Sequence, residues 1–204
     1  MVVKYRENTY CLVRHGEAEN NVLHLLNSIG SRAGYSLTQR GRQQVAETAL
    51  WLEHERPDFI VTSPILRARE TAEIIHERLG IPLSTDERLC ETHFGAFEDT
   101  NIQSFLEYMK GHGTRAIGAP EQGVEGYMDI RERVRSFLES TAVAFQGKII
   151  VIVSHADPLQ EMYAELIGEP IGSEQGDGRW FPEKGSCLVV MAGGVRSFNP
   201  TMVD

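Results

Sequence analysis

The chain has 204 residues and a formal net charge of −9, and hydrophobic residues make up 41% of it. This composition is typical of a globular protein and excludes collagen-like, low-complexity and wholly disordered chains. A chain with a pI of about 5.3 and no basic stripe is not expected to bind nucleic acid or an anionic membrane surface. No apolar run approaches the roughly 20 residues of a membrane helix.

The first residues and the cysteines bear on the cellular location. The opening sequence MVVKYREN lacks the apolar segment of a secretory signal. The cysteines are widely spaced, and the sequence contains no CxxC pair. Neither a zinc site nor a dithiol redox motif is therefore predicted. We therefore expect a cytoplasmic protein in which three thiols act as small core residues: Cys11, Cys90 and Cys187.

Short apolar runs alternate with amphipathic segments along the chain. Strands are predicted at residues 10–13, 59–62, 81–85, 148–154, 187–192 and 195–198, the last two forming an edge hairpin. Helices are predicted at residues 38–56, 63–79, 102–110, 130–145 and 158–167. This alternation predicts an α/β protein with a mostly parallel sheet covered by helices. Residues 92–126 have poor periodicity and many glycines, which indicates a lid-like insertion.

Several residues are predicted to begin or end these helices. Thr38 is a candidate N-cap, and Ser63 is a second one because Pro64 follows it at the first helical position. Gly80 is the expected C-cap of the same helix. Asp157, next to a proline, is interpreted as a cap of the helix at 158–167, with an approach to the functional site as the alternative.

Polar pairs lie at the carboxyl ends of three predicted strands: Arg14-His15, Thr62-Ser63 and Ser154-His155. In parallel sheets of this class, ligands bind beyond the carboxyl ends of the strands. Arg67 falls in the first turn of the next helix, where an arginine and free N–H groups can meet an anion. The alternatives are a surface salt bridge between Arg67 and Glu70 and a core role for His155.

Five segments occur in a fixed order and spacing: LVRHGEAENN at 12–21, LTQRG at 37–41, SPILRA at 63–68, LCETHFG at 89–95 and VSH at 153–155. Together they resemble the motifs of the histidine phosphatase (phosphoglycerate mutase-like) superfamily. The resemblance implies a three-layer α/β/α sandwich whose mostly parallel sheet has an antiparallel edge. It also implies one histidine phosphatase domain over residues 1–204, with the insertion at about 92–126 as its lid.

The resemblance also implies roles for six residues. His15 would be the nucleophile that takes the phosphoryl group, and Glu91 would donate a proton to the leaving group. The phosphate oxygens would be held by four side chains: Arg14, Arg67, His155 and Asn21. Guanidinium groups are multidentate phosphate donors, and phosphoryl transfer depends mainly on positioning and charge stabilisation. Neither a metal ion nor another cofactor is therefore expected.

The chain departs from the superfamily pattern in two places. Ala156-Asp157 follows His155 where many relatives carry glycine, and Phe97-Glu98-Asp99 stands where relatives often have a Glu-Gly pair. Two arginines in the loops, Arg32 and Arg115, are candidates for further anion contacts, with a solvated surface charge as the alternative for each.

These observations predict a metal-independent phosphatase that hydrolyses a small phosphate monoester through a phosphohistidine. One alternative is a cofactor-dependent phosphoglycerate mutase, and the other is a non-catalytic phosphate-binding or scaffold protein on the same fold. The expected partner is a small phosphorylated substrate, and a homodimer is left open.

Overall fold

The computed structural model describes residue 5 and residues 7–31, 33–112, 116–169 and 180–200. Its strands are β1 (Thr9–Arg14), β2 (Phe59–Thr62), β3 (Leu83–Thr85), β4 (Ile149–Ser154), β5 (Cys187–Met191) and β6 (Gly194–Phe198). Its α-helices are α1 (Glu19–Val22), α2 (Gln39–Leu52), α3 (Leu66–Leu79), α4 (Ile102–His112), α5 (Tyr127–Ala144) and α6 (Ala156–Ile167).

The strands form one sheet in the order β3-β2-β4-β1-β5-β6. The first four strands of the chain are parallel, whereas β5 is antiparallel to β1 and β6 is antiparallel to β5. This arrangement confirms the mostly parallel sheet with an antiparallel edge. The register pairs Arg14 with Ser154, so the carboxyl ends of the two central strands lie level with each other.

Alternate residues of the central strands face two different cores. Tyr10 and Leu12 pack into a cluster with residues of α5 and α6. Cys11 and Val13 point to the opposite face and pack with residues of α2 and α3. Truncation of one such buried leucine to alanine would cost about 2–5 kcal/mol. The three-layer α/β/α sandwich is confirmed, and all three cysteines are buried and unpaired, as expected.

The helix ends match the sequence predictions only in part. Thr38 is the N-cap of α2, because its Oγ1 accepts a hydrogen bond from Gly41 N across 3.0 Å. Gly80 ends α3 with a φ of 67°, as predicted. The prediction that Ser63 caps α3 is wrong, since the N-cap is Ile65 and the Ser63 hydroxyl accepts from Ile65 N instead. Ser63-Pro64 therefore forms a bend between β2 and the helix.

The described parts of the segment 92–126 and of the loop after α1 contact each other beyond the carboxyl edge of the sheet. Leu26 N donates to the Thr100 carbonyl across 2.9 Å, and Leu25 forms a bridge with Asn101. A third apolar cluster lies beneath this contact and includes six buried residues: Leu26, Phe94, Phe105, Met109, Ala119 and Val124. The lid-like role of this segment and the single domain over 1–204 stay predictions.

Two of the predicted anion contacts, Arg32 and Arg115, lie outside the described residues. Within the described ranges, no helix combines the length and the apolar character that crossing a membrane requires.

Candidate active site

The carboxyl ends of β1, β2 and β4 meet at a cleft of about 540 Å³. Its lining includes five of the six residues that the sequence singles out: Arg14, His15, Asn21, Arg67 and Glu91. The sixth, His155, is fully buried beside the cleft, and its ring centroid lies 5.1 Å from that of His15. The structure therefore brings all six predicted residues together.

The backbone fixes one nitrogen of the His15 imidazole. Nδ1 lies 2.7 Å from the carbonyl oxygen of Gly16, and a carbonyl can only accept, so Nδ1 carries the ring proton. Nε2 keeps its lone pair and accepts a hydrogen bond from Nε of Arg67 across 3.1 Å. Burial, and after it the charges of Arg67 and Arg14, lowers the pKa of His15 well below its usual range. The neutral ring therefore presents Nε2 as its nucleophilic atom.

Gly16 allows the chain next to His15 to pack directly on α2. A Cβ at position 16 would lie 2.5 Å from the Gly41 carbonyl oxygen, closer than real Cβ atoms approach other atoms. Gly16 N also donates to Thr71 Oγ1 on α3 across 3.2 Å. The residue whose carbonyl orients His15 is thus fixed between two helices.

Arg67 is almost completely buried and is held by three hydrogen bonds. Besides the bond to His15, Nη1 donates to Asn27 Oδ1 and Nη2 donates to the Asn27 carbonyl across 2.9 Å. The alternative of a salt bridge to Glu70 is wrong, because Glu70 pairs with Arg42 instead. Burial lowers the pKa of Arg67 to about 10, so its guanidinium still carries a full charge near neutral pH.

Arg14 supplies a second, partly buried guanidinium at the cleft. Its Nη1 donates to the Pro182 carbonyl across 2.8 Å, and its guanidinium carbon lies 5.3 Å from the centroid of the Phe181 ring. Its Nε is buried and has no hydrogen-bond partner among the described residues. A buried donor of this kind is costly until an acceptor reaches it.

His155 stands at the N-cap position of α6 and faces a hydroxyl group. Its Nε2 lies 2.9 Å from Ser63 Oγ. The alternative that His155 is a core histidine bonded to a carbonyl is therefore wrong. Within the described part of the chain, its buried Nδ1 has no partner. Burial, followed by the charge of Arg67, lowers the pKa of His155 well below its usual range. A neutral ring with Ser63 donating to Nε2 would carry its proton on Nδ1.

The Glu91 carboxyl is buried, and its segment is anchored to the end of β4. Ser154 Oγ donates to the Leu89 carbonyl across 2.7 Å, and Thr92 N donates to Glu91 Oε1 across 3.0 Å. Burial, and after it the nearby Asp157 carboxylate, raises the pKa of Glu91, whereas Arg67 opposes the shift. This environment favours a protonated carboxyl group that can act as an acid.

The interpretation of Asp157 as the cap of its helix is wrong. His155 is the N-cap, so Asp157 is the second residue of α6, and Pro158 also lies within the first turn. The Asp157 carboxylate accepts a hydrogen bond from Thr92 Oγ1 across 2.6 Å and lines the cleft. The alternative interpretation, an approach of Asp157 to the site, is correct. Ala156, at the position where many relatives carry glycine, is the first residue of the helix.

Asn21 lines the cleft with half of its side chain already engaged. Its Oδ1 accepts from Ala18 N across 3.0 Å, which leaves the amide NH₂ as the group suited to an anion.

The departure from the superfamily pattern at Phe97-Glu98-Asp99 has a structural role. Glu98 accepts hydrogen bonds from Ser28 N across 2.8 Å and from Phe94 N across 3.0 Å. Glu98 thereby ties the loop after α1 to the insertion.

Sequence reasoning missed Asn27, Thr92 and Phe181 as parts of the site, and it assigned Ser63 to a helix cap. Asn27 and Phe181 lie in irregular loops where no periodicity marks them. Only Thr92 carried a usable signal, since it directly follows the predicted acid. Among the described residues, no group of three or more His, Cys, Asp or Glu is placed to hold a metal ion.

Comparison with known proteins gives consistent matches. The model of the histidine phosphatase superfamily (branch 1) matches residues 10–177. GpmB of Escherichia fergusonii, named a probable phosphoglycerate mutase, is 30% identical over 80% of this chain and 77% of its own length. Phosphoserine phosphatase 1 of Hydrogenobacter thermophilus is 29% identical over 77% of this chain and 75% of its own. The structure of YhfR from Bacillus stearothermophilus superposes with a TM-score of 0.74 at 27% identity, covering 94% of this chain and 96% of that one.

Proposed function

Because the chain belongs to the histidine phosphatase superfamily and is an enzyme with phosphatase activity, we propose that it hydrolyses a small phosphate monoester through a phosphohistidine at His15. The observation that carries this proposal is the lone pair of His15 Nε2, which accepts its only described hydrogen bond from the Arg67 guanidinium. A phosphate bound by Arg67 would therefore lie against the nucleophilic nitrogen.

In the first step, His15 Nε2 attacks phosphorus and forms a P–N bond while the ester P–O bond breaks. The leaving oxygen takes a proton from the Glu91 carboxyl, whose pKa is raised by burial and by Asp157. Arg67 and Arg14 balance the charge on the phosphoryl oxygens. The covalent intermediate divides one difficult hydrolysis into two steps.

In the second step, water attacks phosphorus and the P–N bond breaks. Glu91, now a carboxylate, accepts the proton of the water, and His15 Nε2 regains its lone pair. Inorganic phosphate leaves, and the site returns to its starting protonation state. A single carboxyl group thus serves as acid and then as base.

Two buried nitrogens without described partners support a phosphate site. Nε of Arg14 belongs to a residue that lines the cleft, and Nδ1 of His155 is buried beside the cleft. Oxygens of a bound phosphate would satisfy Arg14 Nε, and also His155 Nδ1 in the tautomer that carries the ring proton there. The amide of Asn21 would add a further donor. Phosphate itself is thus the ligand class that best completes these hydrogen bonds.

The proposed reaction needs no metal ion, because the Arg14 and Arg67 guanidiniums already supply two positive charges at the phosphoryl group. We expect a chelator to leave kcat/KM within about twofold of its starting value. Loss of turnover on chelation, with restoration by magnesium or zinc, would contradict this part of the proposal.

The phosphohistidine is tested by quenching the enzyme during turnover of a radiolabelled ester. We expect an acid-labile, base-stable label that disappears in His15→Ala. The label should persist in His54→Ala, which changes an exposed histidine in the turn after α2. Circular dichroism and thermal unfolding establish that both variants fold. Label at the wild-type level in His15→Ala would remove His15 as the nucleophile.

The two alternative functions differ in chemistry from this proposal. A pure phosphate-binding or scaffold protein has no need of a buried acid such as Glu91, so turnover of an aryl phosphate separates it from a phosphatase. A phosphoglycerate mutase would use the same nucleophile but return the phosphoryl group to a second hydroxyl. Cytoplasmic location and the absence of nucleic acid or membrane partners stay predictions, and the homodimer stays open as in the sequence analysis.

A further inference from the structure

The lining of the cleft has two chemically different parts. One part supplies the phosphate-binding cations. The other is an apolar wall, which reaches the Arg14 guanidinium through the Phe181 ring and consists of six side chains: Leu25, Phe94, Ile102, Leu106, Tyr127 and Phe181. We infer that the alcohol part of the substrate is an uncharged, largely apolar alkyl or aryl group. This inference rests on the proposed phosphatase function, in which the cations of the cleft bind the phosphate group.

The charged groups among the described lining residues of the cleft disfavour a substrate with a second anionic group. Among the described residues that line it, the only cations are Arg14 and Arg67, which the phosphate occupies, and the two remaining charged groups are Glu91 and Asp157. Lys184 lies close enough to interact with Arg14 but does not line the cleft. A carboxylate or second phosphate on the alcohol would meet like charge without a described counter-ion.

The apolar wall packs against the buried cluster of the insertion. Phe105 packs edge-on against Phe94 with ring centroids 5.5 Å apart, and both belong to the buried cluster of the insertion. In front of this cluster, Ile102 is 36% exposed and Leu106 is 39% exposed on α4. Large apolar side chains that face a cleft and remain this accessible gain free energy when an apolar ligand covers them.

The inference is tested with ethyl, butyl and hexyl phosphate. These esters have nearly the same leaving-group basicity, so differences in kcat/KM report contacts of the alkyl chain rather than proton donation. We expect kcat/KM to rise about twofold to fourfold for each methylene that the wall covers. A terminal carboxylate, in 6-phosphonooxyhexanoate, should lower kcat/KM about tenfold relative to hexyl phosphate.

A substitution in the wall should reverse this preference. Leu106→Lys introduces a cation at an exposed helical position that tolerates lysine, so it should weaken hexyl phosphate turnover and favour the carboxylated ester. Leu50→Lys changes an exposed leucine of α2 outside the cleft and should leave the ratio of the two substrates unchanged.

The outcomes separate this inference from the proposed function. Equal kcat/KM for all three alkyl esters, or faster turnover of the carboxylated ester by the wild-type enzyme, would overturn the apolar substrate class while the label at His15 still supports the phosphatase. Failure to release phosphate from any ester, or release that survives in His15→Ala, would overturn the proposed function and this inference with it.

Discussion

Arg67 Nε donates a hydrogen bond to His15 Nε2 across 3.1 Å, so the group expected to bind phosphate also marks the atom expected to attack it. The two residues follow strands β2 and β1, which lie on either side of β4. Once Nε2 bonds to phosphorus it can no longer accept this hydrogen bond. Arg67 would then donate to a phosphoryl oxygen instead, which would stabilise the intermediate.

The Asn27 side chain is expected to hold Arg67 in this position. Asn27 Oδ1 accepts from Arg67 Nη1 in the interior of the protein, and hydrogen bonds to charged groups contribute about 1.5–3 kcal/mol. Asn27→Ala should therefore lower kcat/KM for p-nitrophenyl phosphate about 10- to 100-fold. Asn199→Ala, at an exposed position, serves as the matched control, and equal activity of the two variants would exclude a positioning role for Asn27.

The arrangement of the main site residues could be predicted because strand order and motif spacing determine it. Arg14-His15 and Ser154-His155 follow parallel neighbouring strands, and their pairing in register places them level at one edge. The apolar runs that form these strands are visible in the sequence without any tertiary information. Glu91 was predicted only from the resemblance to the superfamily, because the hydrophobic periodicity of its segment is poor.

The remaining features depend on contacts between segments that are distant in the sequence. Asp157 next to a proline has the local pattern of a helix cap, but its hydrogen bond with Thr92 joins residues 65 positions apart. Ser63 likewise has the pattern of a cap, yet its hydroxyl faces His155. Local rules describe helix ends well only when no tertiary partner competes for the side chain.

Glu91→Gln should affect esters according to their leaving groups. Alkyl phosphates need a proton on the departing oxygen, whereas p-nitrophenolate leaves without one, so the acid contributes to the first class far more than to the second. We expect a loss of about 10²–10⁴-fold in kcat for hexyl phosphate and a much smaller loss for p-nitrophenyl phosphate. Equal losses on the two esters would mean that Glu91 is not the proton donor.

Hydrolysis is expected to dominate over isomerisation. A mutase must keep water away from its phosphohistidine, yet the wall formed by Ile102 and Leu106 remains accessible to solvent. The enzyme is supplied with 3-phosphoglycerate and catalytic 2,3-bisphosphoglycerate while 2-phosphoglycerate and free phosphate are both followed. Phosphate release from hexyl phosphate should exceed isomerisation at least about tenfold in kcat/KM, and the reverse ratio would favour the mutase.

Asp157 is expected to raise the upper pH limit of the reaction through Glu91. The acid works only while protonated, so turnover of hexyl phosphate should fall as the pH rises through the pKa of Glu91. Burial is the main cause that raises this pKa, and the Asp157 carboxylate raises it further, whereas Arg67 and Arg14 oppose the shift.

The test is the variant Asp157→Asn, which removes the like charge and keeps an acceptor for Thr92 Oγ1. The pKa of Glu91 should fall in this variant. The descending limb of the kcat/KM profile should therefore move to lower pH. The same limb should stay in place in Asp129→Asn, an exposed carboxylate at the start of α5 whose backbone contact asparagine can replace. An unchanged limb in Asp157→Asn would mean that Asp157 does not contribute to the raised pKa of Glu91. A limb moved to higher pH would mean that Asp157 lowers this pKa instead of raising it.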